Sequence, residues 1–294
     1  MLYLDACCVH HAPLSGAGTQ RQPVIRNPHS EPVCTRQQWD EGSWSAVMAR
    51  ARTHWPDPEL DNLIERTVTD IRRTVGSKRA AFIWSGSTDC LVLAYVAGLA
   101  GITRCVLTIT DLEYPQFLRW VTDRMPPGLT VVATGHDLRW LREHPHMLFP
   151  HSLHAAHWHI LVQQQGQHRY YHEQTLGMLL QGPRRRIGRN YYSYGPAKEL
   201  TWSDRGGITR YTPLIDWSAE AMLALIQREQ IPLPPCYSWP RGSQVGPGPW
   251  PARQGTASTC HGFGEVWSID PDIIRSAAPH LPHAARWLKI TGRS

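Results

Sequence analysis

No stretch of the 294-residue chain reaches the roughly 18 consecutive apolar residues that a membrane-spanning helix needs, so no membrane partner is expected. The first residues, Met-Leu-Tyr-Leu-Asp-Ala-Cys-Cys, lack the basic region and long apolar core of a secretory signal. Seven cysteines cannot all pair with one another, and Cys90, Cys105, Cys236 and Cys260 stand isolated in the sequence. Together these features predict reduced thiols in a cytoplasmic protein, and no iron–sulfur cluster. Cys7, Cys8, His10 and His11 lie close together, but adjacent side chains rarely converge on one ion, and no metal site is expected there. Six histidines fall between His144 and His159, with no carboxylate but Glu143 just before them and no cysteine among them. They read as a solvated or substrate-facing helix face whose partial protonation adds positive charge, rather than as metal ligands.

What the chain does have is a formal charge of +6 and a pI near 9.0, which suit an anionic partner, either a polyphosphate nucleotide or a nucleic acid. One stretch offers a place for it. Ala80 to Trp84 is an apolar run too short for a helix; Ser85, Gly86, Ser87, Thr88 and Asp89 are small or polar; and a solidly apolar segment runs from Leu91 to Ala100. This reads as strand, tight loop and buried helix, and such a loop presents unpaired amides to an anion at the helix start. Arg104 to Thr110 and Leu129 to Ala133 are further strand candidates, each separated from the last by a helical segment. Alternation of this kind predicts an α/β fold, a doubly wound and mainly parallel sheet with helices on both faces. Ligands of such sheets collect at the carboxyl ends of the strands, where the 85–90 and 110–115 loops would lie.

Residues 35–53 and 57–75 read as two helices, the second with Pro58 near its start and Arg72 and Arg73 near its end. Before them, residues 1–34 show no hydrophobic period and read as an irregular lead-in. Four arginines, Arg184, Arg185, Arg186 and Arg189, follow Gly182 and Pro183, and such a run can fork onto phosphate oxygens in a way lysines cannot. Before this run, from His172, the chain reads as amphipathic. Tyr211 to Ile226 reads as an extended entry, a Ser218 cap and an apolar helix, closed by the prolines after Ile231. Residues 238–256 are rich in Pro, Gly and Ser, which predicts a flexible link before short helices at 272–278 and 282–290. The expected organisation is a helical extension over 1–76, a nucleotide-binding domain over 77–237 and a C-terminal segment over 238–294.

The segment Ser85-Gly-Ser-Thr-Asp-Cys90 resembles the Ser-Gly-Gly-x-Asp-Ser loop of the ATP-pyrophosphatase, or PP-loop, superfamily, in the branch of the phosphoadenosine phosphosulfate (PAPS) reductases. Ile109-Thr-Asp-Leu-Glu-Tyr-Pro-Gln116 is similar to the Asn-Thr-Gly-Leu-Glu-x-Pro-Glu segment of that branch, and Pro213-Leu-Ile-Asp-Trp-Ser218 with Ile231-Pro232 and Tyr237 is similar to a third element. The likeness covers roughly residues 80–237. Ser87 stands in place of a glycine, which would cost on the order of 1–2 kcal/mol if the backbone there needed positive φ. Cys90 replaces a serine, and Ile109 an asparagine.

The resemblance implies an enzyme that binds an adenine nucleotide, PAPS or ATP, through Ser85, Gly86, Ser87, Thr88, Asp89, Cys90, Glu113 and the four arginines. It implies catalytic roles for Asp89 and for Cys260, which lies where these reductases carry a nucleophilic cysteine in a mobile segment. A PAPS reductase uses a thioredoxin-type reductant. An ATP pyrophosphatase uses Mg²⁺ and adenylates an acceptor, here undefined and open to a nucleic-acid base. A homodimer and a decayed, purely nucleotide-binding module are further alternatives at this stage.

Overall fold

A computed structural model describes residues 51, 53, 55–150, 158–184, 199–240, 242–252 and 259–293. The Cys7–His11 cluster, residues 35–50, His151, His154, His157, Arg185, Arg186 and Arg189 lie outside them. Helix α1 (Asp57–Val75) has Asp57 and Glu59 in its first turn and Arg72 and Arg73 in its last, so its side-chain charges oppose its dipole at both ends. The chain then runs through β1 (Ala80–Ile83), α2 (Thr88–Leu99), β2 (Cys105–Ile109), α3 (Pro115–Arg124), β3 (Leu129–Ala133) and the short α4 (Leu138–Glu143). After a π-helical turn at His159–Gln164 come α5 (Gln165–Glu173), β4 (Met178–Leu180), β5 (Thr201–Ser203), β6 (Thr209–Tyr211) and α6 (Ala219–Arg228). Four more helices close the chain: α7 (Gly242–Val245), α8 (Thr259–Ile269), α9 (Pro271–Ala277) and α10 (Pro282–Thr291).

The six strands form one sheet in the order β3-β2-β1-β4-β6-β5, parallel except for β5, which runs antiparallel to β6. From β1 the chain winds outward through β2 to β3, then returns to β4 on the other flank of β1, as a doubly wound α/β sheet does. The alternation of side chains along each strand divides the core. Phe82, Leu107 and Leu180 face a large cluster that includes Ile71 of α1, Val92 and Val96 of α2 and Leu225 of α6. Ala81, Val106 and Leu179 face a smaller one closed by Tyr170 and Tyr171 of α5. Helices therefore cover both faces, and the central strands β1 and β4 are apolar and buried on both sides.

Three elements depart from the expectations above. The stretch after His172 is not amphipathic throughout: Met178–Leu180 is fully buried and is the strand paired to β1 on the side away from β2. His144 closes α4 and His146 sits in a 3-10 turn, so these two histidines do not share a helical face. The described part of the Pro/Gly-rich stretch after Ser238 is packed rather than open. Trp250 and Ala252 are buried, Trp250 N donates to Leu112 O at 2.9 Å, and Pro251 O accepts from Phe149 N at 2.9 Å.

Candidate active site at the switch point of the sheet

The strand order reverses between β1 and β4, and the loops that leave the carboxyl ends of these two strands meet. Gly86 carries the turn: its φ is +75°, and a Cβ there would stand 3.1 Å from the Phe117 ring and 3.3 Å from that of Trp120. Ser87, the residue in place of the family glycine, has φ −69°, so its side chain is accommodated without strain. That side chain acts as the cap of α2, accepting from Cys90 N at 3.3 Å, a contact generally worth about 1 kcal/mol. The amide of Thr88 donates to the hydroxyl of Tyr237 at 2.9 Å. No hydrogen bond among the described residues involves the amides of Gly86 and Asp89. Ser85 Oγ reaches Ser87 Oγ at 3.2 Å and donates to Cys90 Sγ at 3.3 Å. Burial pushes the Cys90 thiol up, which favours its neutral form.

Arg184 reaches this loop from the far side. The backbone after β4 crosses the first turn of α2 so closely that a Cβ on Gly182 would lie 2.9 Å from Asp89 Cβ. Arg184 is buried, its Nε stands 3.5 Å from Asp89 Oδ1 as an ion pair, and among the described residues no acceptor comes closer to that nitrogen. Burial pushes the Asp89 carboxyl above its usual range, and the guanidinium beside it pulls the other way.

Glu113 lies beyond the end of β2, 7% exposed, with Oε1 accepting from Thr110 N at 3.3 Å and from Thr110 Oγ at 3.2 Å. Burial pushes its carboxyl up to about 7, against the two hydrogen bonds that favour the ionised form. Cys260 is the second residue of α8, a helix seated on the core through buried Phe263 and Val266, with Gly262 against the Phe149 ring. Among the described residues no group of three or more His, Cys, Asp or Glu is placed to hold a metal ion, and no helix is long and apolar enough to cross a membrane.

Two further features of this edge were not anticipated. Tyr237 belongs to the third similar element, but its role at the Thr88 amide depends on a contact spanning 149 residues. Arg210 of β6 is 2% exposed and donates to Asp204 Oδ2 at 2.8 and 2.9 Å, to Gln167 Oε1 at 2.6 Å and to Gln181 Oε1 at 3.4 Å. Gln181 directly precedes the Gly182–Arg184 crossing, so this buried network fixes the base of the loop that delivers Arg184.

No known family and no curated protein matches the sequence. Among solved structures the chain is similar to a phosphoadenylyl-sulfate (PAPS) reductase from Candida auris in a phosphate complex, at 17% identity and a TM-score of 0.45 over 60% of this chain and 89% of that one. It is also similar to the U34-tRNA thiolase NcsA from Methanococcus maripaludis with its 4Fe-4S cluster, at 14% identity and a TM-score of 0.41 over 78% of each chain.

Proposed function

We propose that the chain binds an adenine nucleotide with its phosphates at residues 85–90 and acts on it as a PAPS reductase-like enzyme. The observation that carries this reading is the buried Arg184, ion-paired with Asp89 at 3.5 Å but with no close acceptor at Nε among the described residues, beside the first turn of α2 where the strand order reverses. A buried donor of this kind is costly unless a further acceptor reaches it, and a phosphate or sulfate oxygen is suited to a guanidinium fork. The amino end of α2 adds favourable dipole at the same place. Asp89 orients the guanidinium, and Ser85, Gly86, Ser87, Thr88 and Cys90 shape the loop. Glu113 stands at the end of the neighbouring strand, where its carboxyl would face the same ligand. Arg185, Arg186 and Arg189 extend the cationic run.

In the reductase reaction the thiolate of Cys260 attacks the sulfur of PAPS. The S–O bond breaks and adenosine 3′,5′-bisphosphate leaves with the electron pair. A thioredoxin-type dithiol then attacks the Cys260 sulfur, sulfite leaves, and the second thiol of the reductant resolves the mixed disulfide.

One observation favours a second reading. α8 is anchored, which hinders the swing that Cys260 would need, and burial favours the neutral form of Cys90. With ATP as ligand no cysteine is required: an acceptor oxygen attacks the α-phosphorus and pyrophosphate leaves. A nucleic-acid base is the acceptor in keeping with the charge of +6. The protein side chains do not fit a protein-held Mg²⁺, because the loop's carboxylate, Asp89, is already matched by Arg184. The ion would instead arrive on the nucleotide's own oxygens.

Calorimetric titration with ATP, PAPS and adenosine tests the site. Arg184→Gln should weaken the two phosphorylated ligands about tenfold or more and leave adenosine unchanged. Equal loss for all three would remove Arg184 from the anion site. Gly86→Val is a poorer probe, since its backbone conformation and the Phe117 contact would strain the fold as well. The two chemistries part at Cys260→Ser. Sulfite release with thioredoxin should be abolished and nucleotide binding retained; persistent sulfite excludes Cys260, and pyrophosphate release without sulfite selects the ATP reading.

A further inference from the structure

The opposite edge of the sheet holds a cavity of about 350 Å³. Its wall consists of the last turn of α1, the turn after α2 and the residues that lead into β1 and β2. Four cations line it, Arg72, Lys78, Arg79 and Arg104, and no carboxylate does. Four residues of β1 separate this cavity from the 85–90 loop, a rise of roughly 13 Å, so the two sites do not overlap.

Part of this charge serves the helices. α1 and α2 both direct their carboxyl ends here, each equivalent to about half a negative charge. Arg72 Nη2 donates to Leu99 O at 2.6 Å and Lys78 Nζ to Thr74 O at 3.4 Å, as capping cations do. Two helix ends offset about one of the four charges. Arg79 makes one long contact, 3.4 Å, to the neutral Gln174 Oε1, and Arg104 makes no side-chain hydrogen bond among the described residues. None of the four is ion-paired among the described residues. The volume falls within the range of small-ligand sites. The cations ring one hollow instead of forming a track, which suits a compact anion better than the repeating phosphates of a nucleic acid.

We propose that this cavity is a second anion site, distinct from the 85–90 loop, which takes a phosphate dianion or the phosphoryl group of a small phosphomonoester, held by the guanidinium groups of Arg79 and Arg104. The claim does not depend on which nucleotide the first site binds.

Arginine modification by phenylglyoxal, read residue by residue through peptide mass spectrometry on the full chain, locates the site directly. Saturating inorganic phosphate should slow modification of Arg79 and Arg104 about tenfold, while Arg119 and Arg124, exposed on α3, react at their unprotected rate. Arg72, on the same wall, should share part of this protection in the wild type, and the double variant Arg79→Gln/Arg104→Gln should lose it while still unfolding cooperatively within a few degrees of the wild-type temperature. Slowing that is equal at all four arginines, or absent from Arg79 and Arg104, overturns the proposal. Protection of Arg79 and Arg104 by a single-stranded oligonucleotide but not by phosphate overturns it as well and makes the surface a nucleic-acid contact.

Discussion

The two edges of the sheet treat charge in opposite ways. At the carboxyl edge Arg210, Arg184 and Glu113 are buried, and each has a named polar neighbour: those of Arg210 and Arg184 come from distant parts of the chain, while that of Glu113 is Thr110, three residues before it. At the amino edge Arg72, Lys78, Arg79 and Arg104 are exposed, and their contacts are to carbonyls, an amide or none. A buried charge is expensive to desolvate, so its environment fixes its geometry and shifts its proton affinity; an exposed charge does neither, and acts through its field. The carboxyl edge is thus built for orientation. The amino edge is built for attraction.

The largest effect should come from breaking the most deeply buried of these groups. Arg210→Met would leave the oxygens of Gln167 and Gln181 without a donor and Asp204 without its cation, and should cost about 3–5 kcal/mol in urea unfolding. Arg210→Lys should recover part of that loss. A cost near zero for Arg210→Met would mean that the network does not hold the loop after β4.

Glu113→Gln should give a smaller effect of opposite sign that depends on pH. The folded carboxyl titrates near 7 and the unfolded one near 4.5, so the folded state binds more protons between these values and wild-type stability falls as pH rises through that window. Glutamine keeps the acceptor for Thr110 and carries no charge. Its advantage should approach 3 kcal/mol as an upper bound at pH 8 and vanish below about pH 4.5, as read from melting temperatures across pH. A pH-independent difference would show that burial does not set the proton affinity of Glu113.

The smallest effect belongs to the other edge. Arg79→Gln and Arg104→Gln should each change stability by no more than about 0.5 kcal/mol, as exposed substitutions do. A loss several times larger would show that these cations are structural, and the contrast between the two edges would fall.

Much of this contrast is legible in the sequence on one side only. β1, β2, β3 and α1 follow from apolar runs bounded by small residues, proline or well-placed charge, and the Ser218 cap is confirmed by its bond from Ala221 N at 3.0 Å. The 85–90 loop reads correctly as a strand-to-helix turn, because Gly86 supplies the positive φ and Ser87 the cap within five residues. β4 escapes notice because three buried residues are too few to show a period. β6 escapes because a buried arginine stands at its centre, and the groups that satisfy it are 6, 29 and 43 residues away. For the same reason Arg184 could be singled out as a cation, but its partner could not be named.

The hydrogen bond from Thr88 N to the Tyr237 hydroxyl has a kinetic side. An anion seated on this amide, as proposed for the 85–90 loop, would find it already engaged and would have to exchange partners with a half-buried phenol. Binding would then proceed through an encounter step followed by a slower rearrangement of the 234–239 turn, and ligands that cannot replace the phenol would dissociate from the first of these two states.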